Sequence, residues 1–266
     1  MQKPPGFSPI WRILSNTTGV HNLPYPDAPR SETLALTSGK PARILDIGCG
    51  TGAISDNFRK TYGCESLVGC ELDPVAAKIA ATRLDQVISR PLQEWTEQEA
   101  AEISKADTIL LFDVLEHMAN PWGELEYLCS KIAPTAQVLV SLPNIGCYPV
   151  LLDLVSGYWT YKSLGILDIT HIRFFTLHEM QRMFYQTGFR VEFETTLSYF
   201  NPQDITTFPI ELSYGIIKIT INDAEHLRRL HTIQFGFRLR KAADEDLSNE
   251  ELELRYGGHP PTYLPF

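Results

Sequence analysis

The chain has 266 residues, 44% of them apolar, which is enough to bury one substantial core and favours a single catalytic domain with decorations. With 23 basic against 32 acidic residues the formal net charge is -9, a balance that disfavours broad contact with a phosphate backbone, so nucleic acid is not an expected partner. The five cysteines show no paired C-x-x-C spacing and read as reduced thiols of a cytoplasmic protein, and no apolar run approaches the roughly eighteen residues of a membrane span.

Residues 1–40 are rich in proline (Pro4, Pro5, Pro9, Pro24, Pro26, Pro29) and read as turns and short helices forming a cap beside a cofactor. From Arg43 onward buried strands alternate with amphipathic helices. Strands are expected at 43–47, 67–71, 86–89, 107–112 and 136–141, and helices near 52–61, 74–83 and 122–132. That rhythm predicts a parallel sheet with helices on both faces.

The first strand runs into Ile44-Leu45-Asp46-Ile47-Gly48-Cys49-Gly50-Thr51-Gly52. Glycines at 48, 50 and 52 allow positive φ and bring backbone N–H groups toward a ligand at the next helix. Gly48, Gly50 and Ala53 also satisfy a dinucleotide fingerprint, so the glycines alone leave the cofactor open. Asp46 decides between the readings, because its carboxylate would repel a pyrophosphate, whereas S-adenosylmethionine carries an ammonium and a sulfonium and no phosphate. A second strand ends at Glu71, about twenty residues on, where a carboxylate can accept both ribose hydroxyls. A third ends at Asp113. Asp46, Glu71 and Asp113 are thus expected to form an acidic rim at the sheet's switch point, with Gly48, Cys49, Gly50, Leu72 and Leu92 as the other cofactor contacts.

These motifs resemble class I S-adenosylmethionine-dependent methyltransferases. Residues 44–52, 68–73 and Asp113-Val114-Leu115-Glu116-His117 are similar to their motif I, its acidic follower and the motif after strand four. With Ser141-Leu142-Pro143-Asn144 and residues 165–176 the likeness extends over roughly residues 22–195, toward a bacterial subgroup found with glycosyltransferase and polysaccharide genes. The resemblance implies a Rossmann-like methyltransferase fold, a doubly wound, seven-stranded, mostly parallel sheet with an antiparallel C-terminal strand. Where the family has a Gly-Asp pair for adenine, this chain has Arg90-Pro91, which leaves adenine to backbone groups and Leu92.

Residues 145–170 interrupt the rhythm with Tyr148, Tyr158, Trp159 and Tyr161 and are expected to overhang the site as an acceptor pocket or lid. A satellite core or homodimer contact is the alternative use of these aromatics. A helix starting near Leu177, strands at 189–194 and 232–239 and a helix around 211–230 complete a domain spanning 41–243. Residues 244–266 form an acidic tail.

Asp113, Glu116 and His117 stand at i, i+3 and i+4 and share one face if that segment is helical, and His171 follows across the insertion. Three uses of this set stay open. Asp113, Glu116, His117 and His171 can hold Mg2+ or another divalent cation, resembling the Glu-x-x-Glu-His element of ubiquinone-pathway and plant small-RNA O-methyltransferases, with the shorter Asp113 in place of the first glutamate. Without a metal, His117 or His171 acts as catalytic base, with Glu116 or Arg173 fixing His117; Arg173 could also orient an anionic acceptor or pair with an acid. Or the histidines are structural. The expected activity is O-methylation of a small molecule or saccharide precursor. A non-catalytic scaffold for a glycosyltransferase, a metal-dependent RNA 2'-O-methyltransferase and a dehydrogenase are the competing functions.

Overall fold

The computed structural model describes residues 26–200 and 205–243 and, singly, 246, 248 and 251. Most of the expected cap, and nearly all of the acidic tail, lie outside these residues. Five apolar runs form the parallel strands β1 (Arg43–Ile47), β2 (Ser66–Cys70), β3 (Gln86–Ile88), β4 (Thr108–Phe112) and β5 (Gln137–Pro143). Their crossovers hold α1 (Ala53–Tyr62), α2 (Pro74–Ala80), α3 (Glu97–Lys105) and α4 (Pro121–Lys131). Then come α5 (Tyr148–Val155), α6 (Leu177–Gln186), β6 (Phe189–Tyr199), β7 (Ile210–Tyr214), β8 (Ile217–Ile221), α7 (Ala224–His231) and β9 (Thr232–Lys241).

The main sheet has seven strands in the order β3-β2-β1-β4-β5-β9-β6. β9 runs antiparallel to both β5 and β6, so it alone opposes the other strands. The order reverses between β1 and β4, and the cleft above that switch point is where ligands of doubly wound sheets bind. The fold expected from the sequence, including its antiparallel C-terminal strand, is therefore present.

Both faces of the sheet's inner strands are covered, which is why these strands read as largely apolar runs. Leu45, Ile109, Leu111, Val138, Val140 and Phe237 face one layer, which includes Leu125 and Leu128 of α4 and Met183 and Phe184 of α6. Ile44, Leu67, Leu110 and Leu139 face the other, against Phe58 of α1 and Ala80 of α2. All five cysteines are buried free thiols. Among the described residues no helix is long and apolar enough to cross a membrane.

Two elements differ from the sequence expectation. A helix, α3, stands where none was expected, started by a reciprocal cap in which Thr96 and Glu99 each bond the other's backbone N–H. The helix expected around 211–230 is instead the β7–β8 hairpin followed by the short α7, capped by Asp223. Ile210, Leu212, Ile217, Ile219 and Ile221 recur at period two, and Gly215, at φ 59, turns the chain between them. Hairpin, α7 and Leu151 of α5 share a small satellite core around Ile221, Leu227 and Leu230. The aromatics of the insertion divide accordingly. Tyr148 stacks on Tyr214 at 4.6 Å and meets His231 edge-on, whereas Tyr158, Trp159 and Tyr161 stay exposed.

Candidate cofactor and acceptor site

The turn after β1 is built by glycines that no other residue replaces cheaply. Gly48 has φ 73, and a Cβ there would meet Val114 Cγ2 at 2.6 Å. The N–H groups of Gly48 and Cys49 are bonded to the Cys70 carbonyl at 2.8 and 3.0 Å, that of Gly50 to Glu71 Oε2 at 2.8 Å, and that of Gly52 to the Cys49 carbonyl at 2.8 Å. These amides are spent inside the protein, so the loop does not present them as a phosphate cradle. Glu71, buried after β2, also accepts the Asp73 N–H at 2.8 Å through Oε1, yet burial keeps its carboxyl above the usual range.

The expected rim residues take different places. Asp46 is 3% exposed beneath the loop, where Ser55 donates to it at 2.6 Å. Burial pushes its carboxyl from an ordinary 3.8 up to about 7, against the opposing Ser55 hydrogen bond, with the Glu71 charge adding to the rise. Cys49 is buried, with its sulfur close against Gly69, and Leu92 is buried in the main core, whereas Gly48 and Leu72 are exposed.

Asp113, just past β4, has φ 56 and accepts hydrogen bonds from Ser141 Oγ at 2.8 Å, from the Gln234 amide and from the Arg30 guanidinium. Arg30, at φ 43, also reaches Gln234 Oε1 at 2.7 Å. These two are the non-glycine residues with positive φ among those described, and they hold each other, as strained backbone at functional sites often does. The strap carrying Arg30 is fastened further back, where Asp27 accepts from Thr51 Oγ1 at 2.8 Å and from Arg83. The Arg83 hydrogen bond holds the Asp27 carboxyl down at about 2. Arg30 and Gln234 were not singled out from the sequence, and Ser141 was marked only as part of a motif, not as a site residue. Arg30 had only its place in the cap to mark it, and Gln234 reaches the site by the antiparallel return of β9.

The segment after β4 is a short 3-10 turn, Leu115–His117, so the shared helical face does not form. Asp113 faces Arg30, and the candidate metal group consists of Glu116, His117 and His171, whose ligand atoms lie within 4.8 Å of one another. Glu116 is 1% exposed, with Oε1 3.9 Å from His171 Nε2 and Oε2 buried without a hydrogen-bond partner. Burial drives its carboxyl well above the usual range, and the Asp113 charge adds to this. The His117 and His171 rings meet edge to face at 4.7 Å.

Backbone groups pin the two halves of this centre together. The Glu116 carbonyl accepts from the amides of Ile172 and Arg173, each at 3.0 Å, and His171 Nδ1 donates to the Ile166 carbonyl at 2.9 Å. Arg173 spends its guanidinium on the carbonyls of Ala119 and Ile172 rather than on an acid or on His117, correcting those two of the three sequence expectations for it. Beside the centre, Phe174 lies 6.4 Å from the His171 ring and 5.1 Å from the Trp159 ring, so aromatic faces lead from the exposed insertion to the histidines.

Comparison with known proteins bears on the family and the fold. Residues 21–193 match the methyltransferase domain family. The chain is 26% identical over 144 residues to a ubiquinone biosynthesis O-methyltransferase of Aeromonas salmonicida, covering 53% of this chain and 60% of that protein. It is 26% identical over 171 residues to one of Rhodopseudomonas palustris, covering 63% and 66%. It thus spans somewhat under two thirds of the length of these relatives. Among solved structures, the plantazolicin methyltransferase BpumL in complex with SAH superposes with a TM-score of 0.53 at 18% identity, over 83% of this chain and 85% of that one. The mitomycin 7-O-methyltransferase MmcR does so with 0.51 at 16%, over 80% and 53%. With the fold, the glycine loop and a family match across well over half its length, the chain belongs to the methyltransferase domain family.

Proposed function

We propose that this protein transfers the methyl group of S-adenosylmethionine to a hydroxyl oxygen of a small, ring-bearing acceptor. Glu71 accepts the ribose hydroxyls. The Arg30–Asp113 pair offers opposite charges side by side at the sheet's carboxyl edge, a match for the zwitterionic amino-acid end of the cofactor, with Asp113 taking the ammonium and Arg30 the carboxylate. The loop amides, already bonded internally, suit a cofactor without a pyrophosphate.

The observation that carries the acceptor side is the Glu116 carboxyl, fully buried, with one oxygen unpartnered and two imidazoles beside it. Such a group costs free energy to bury unless something completes it. A carboxylate and two imidazoles fit a divalent transition ion better than magnesium, and His171 is oriented through Nδ1 by a carbonyl as ligating histidines are. A cation held by Glu116, His117 and His171 would lower the pKa of an acceptor hydroxyl. The chain's own part is to orient the acceptor ring along Trp159 and Phe174 and to keep the site dry through Leu115 and Phe175, both buried. His117, exposed beside Glu116, also supports a second reading in which it takes the hydroxyl proton directly.

Calorimetry with S-adenosylmethionine and S-adenosylhomocysteine tests the cofactor half, and absence of binding at millimolar levels sinks it. For the acceptor half, transfer of label to a panel of hydroxylated aromatics and sugars is measured with and without EDTA. Glu116→Gln and His171→Ala are expected to lower kcat by about 10²- to 10⁴-fold with the cofactor Kd little changed. Activity that survives EDTA but falls with His117→Ala selects the metal-free reading.

A further inference from the structure

The loop that closes over the histidines carries an outer layer of hydrogen bonds. Asp168 is 6% exposed, and its Oδ1 accepts from the Thr170 amide at 2.8 Å and from the Thr170 hydroxyl at 2.7 Å. The carboxylate is itself held in place, because the loop pairs backbone with backbone at Lys162, Gly165, Leu167 and Ile169. A hydroxyl has one proton to give. Once it is committed to Asp168, Thr170 Oγ1 can only accept from His117 Nδ1, 3.1 Å away. The Thr170 carbonyl lies 3.3 Å from the same nitrogen, and a carbonyl never donates. Both neighbours of His117 Nδ1 on this loop are therefore acceptors.

We propose that Asp168, acting through the Thr170 hydroxyl, is a positioning residue that fixes neutral His117 in its Nδ1-protonated tautomer and so leaves Nε2 as the donor atom of the Glu116–His117–His171 group. His171 reaches the same tautomer by a separate route, through the Ile166 carbonyl. One loop thereby sets the proton positions of both imidazoles, one through its backbone and the other through a carboxylate–hydroxyl relay. The geometry explains why an acid is buried at Asp168, whose side chain touches none of the three candidate ligands in the contacts described, its backbone carbonyl alone accepting from the His171 amide at 3.0 Å. The consequence for a cation or an acceptor proton rests on the function proposed above, but the tautomer itself is a property of the unliganded chain.

Ring-nitrogen NMR of the full chain labelled with 15N-histidine, without cation or cofactor and at a pH where both rings are neutral, tests this directly. The signals are assigned with His117→Gln and His171→Gln. His117 and His171 are both expected in the Nδ1–H form. Asp168→Ala and Thr170→Val should shift His117 to a mixed tautomer population while His171 stays put, and Thr170→Ser should restore it. Affinity for manganese, by calorimetry, is expected to fall roughly tenfold to a hundredfold in Thr170→Val and to recover in Thr170→Ser. Wild-type His117 in the Nε2–H form, or an unchanged His117 in a folded Thr170→Val chain, overturns the proposal. If the tautomers behave as expected and the wild type binds no manganese, the positioning role stands and the cation reading falls.

Discussion

At the scale of single residues, the site is governed by carboxyl groups that are buried for different ends. Asp46 and Glu116 are both pushed upward by burial, yet Asp46 has a hydroxyl donor and Glu116 keeps an oxygen without one. For Asp46 the linkage to stability has a definite sign. Its folded value, about 7, lies above the ordinary 3.8, so the native state retains a proton that the unfolded chain releases. Stability from this group is present below about 4, declines as pH rises toward about 7, and then levels off. Asp46→Asn should remove that decline. Thermal melting across this range is expected to show the variant gaining on the wild type by up to about 4 kcal/mol, and parallel curves would refute the assignment. Above about pH 7, where wild-type Asp46 is ionised, the Asn variant should also bind S-adenosylmethionine more weakly than the wild type, having lost a negative charge that favours its cationic groups.

Glycine at position 48 is tied to the same place by sterics. Gly48→Ala forces a side chain into a left-handed turn with Val114 in the way, at about 1–2 kcal/mol for the backbone alone. Cofactor affinity should fall with it, and pairing Gly48→Ala with Val114→Ala should recover the steric part but not the backbone part.

Among the elements, those that could be read from sequence are those whose burial is symmetric. β1, β4 and β5 are covered on both faces, so most of their side chains are apolar and the runs stand out. The glycines of the loop were legible because Gly48, Gly50 and Gly52 stand at positive φ, which other residues take only at a cost. The hairpin β7–β8 was not legible as such. Its alternating residues lie on one small sheet against α5 and α7, and a mixed stretch of aliphatic and charged residues before α7 imitates helical amphipathicity. Asp113, Glu116 and His117 fit a helical spacing, but the chain makes a tighter 3-10 turn with Asp113 in the left-handed region, so the first acid swings toward Arg30. No local pattern announces that, because the partner is a residue on a strap more than eighty positions earlier. Since the hairpin belongs to its own satellite core, Ile219→Asp is expected to speed amide exchange in β7 and β8 and leave β1 to β5 protected. Exchange rising in all of these strands together would show that the hairpin and the main sheet unfold as one unit.

For the molecule as a whole, the residues of the candidate site come from the carboxyl ends of β1, β2, β4 and β5 and from the strap, insertion and antiparallel return that surround them. On the function proposed above, the parallel strands floor the cofactor, and the residues that meet the acceptor sit on the later additions, Trp159 and Phe174 among them. Division of labour of this kind lets one floor serve many acceptors by changing loops alone.

Sealing all five cysteine thiols inside the protein has a practical side. Burial holds the thiols far from the thiolate form, Cys70 at about 12, so none should react with maleimide or a disulfide reagent while the chain stays folded. A cysteine introduced at Ile216, 77% exposed on the hairpin tip, would then be the sole reactive handle for a fluorophore. Colour development by the native chain would appear only as it melts, which makes thiol titration a direct clock for global opening.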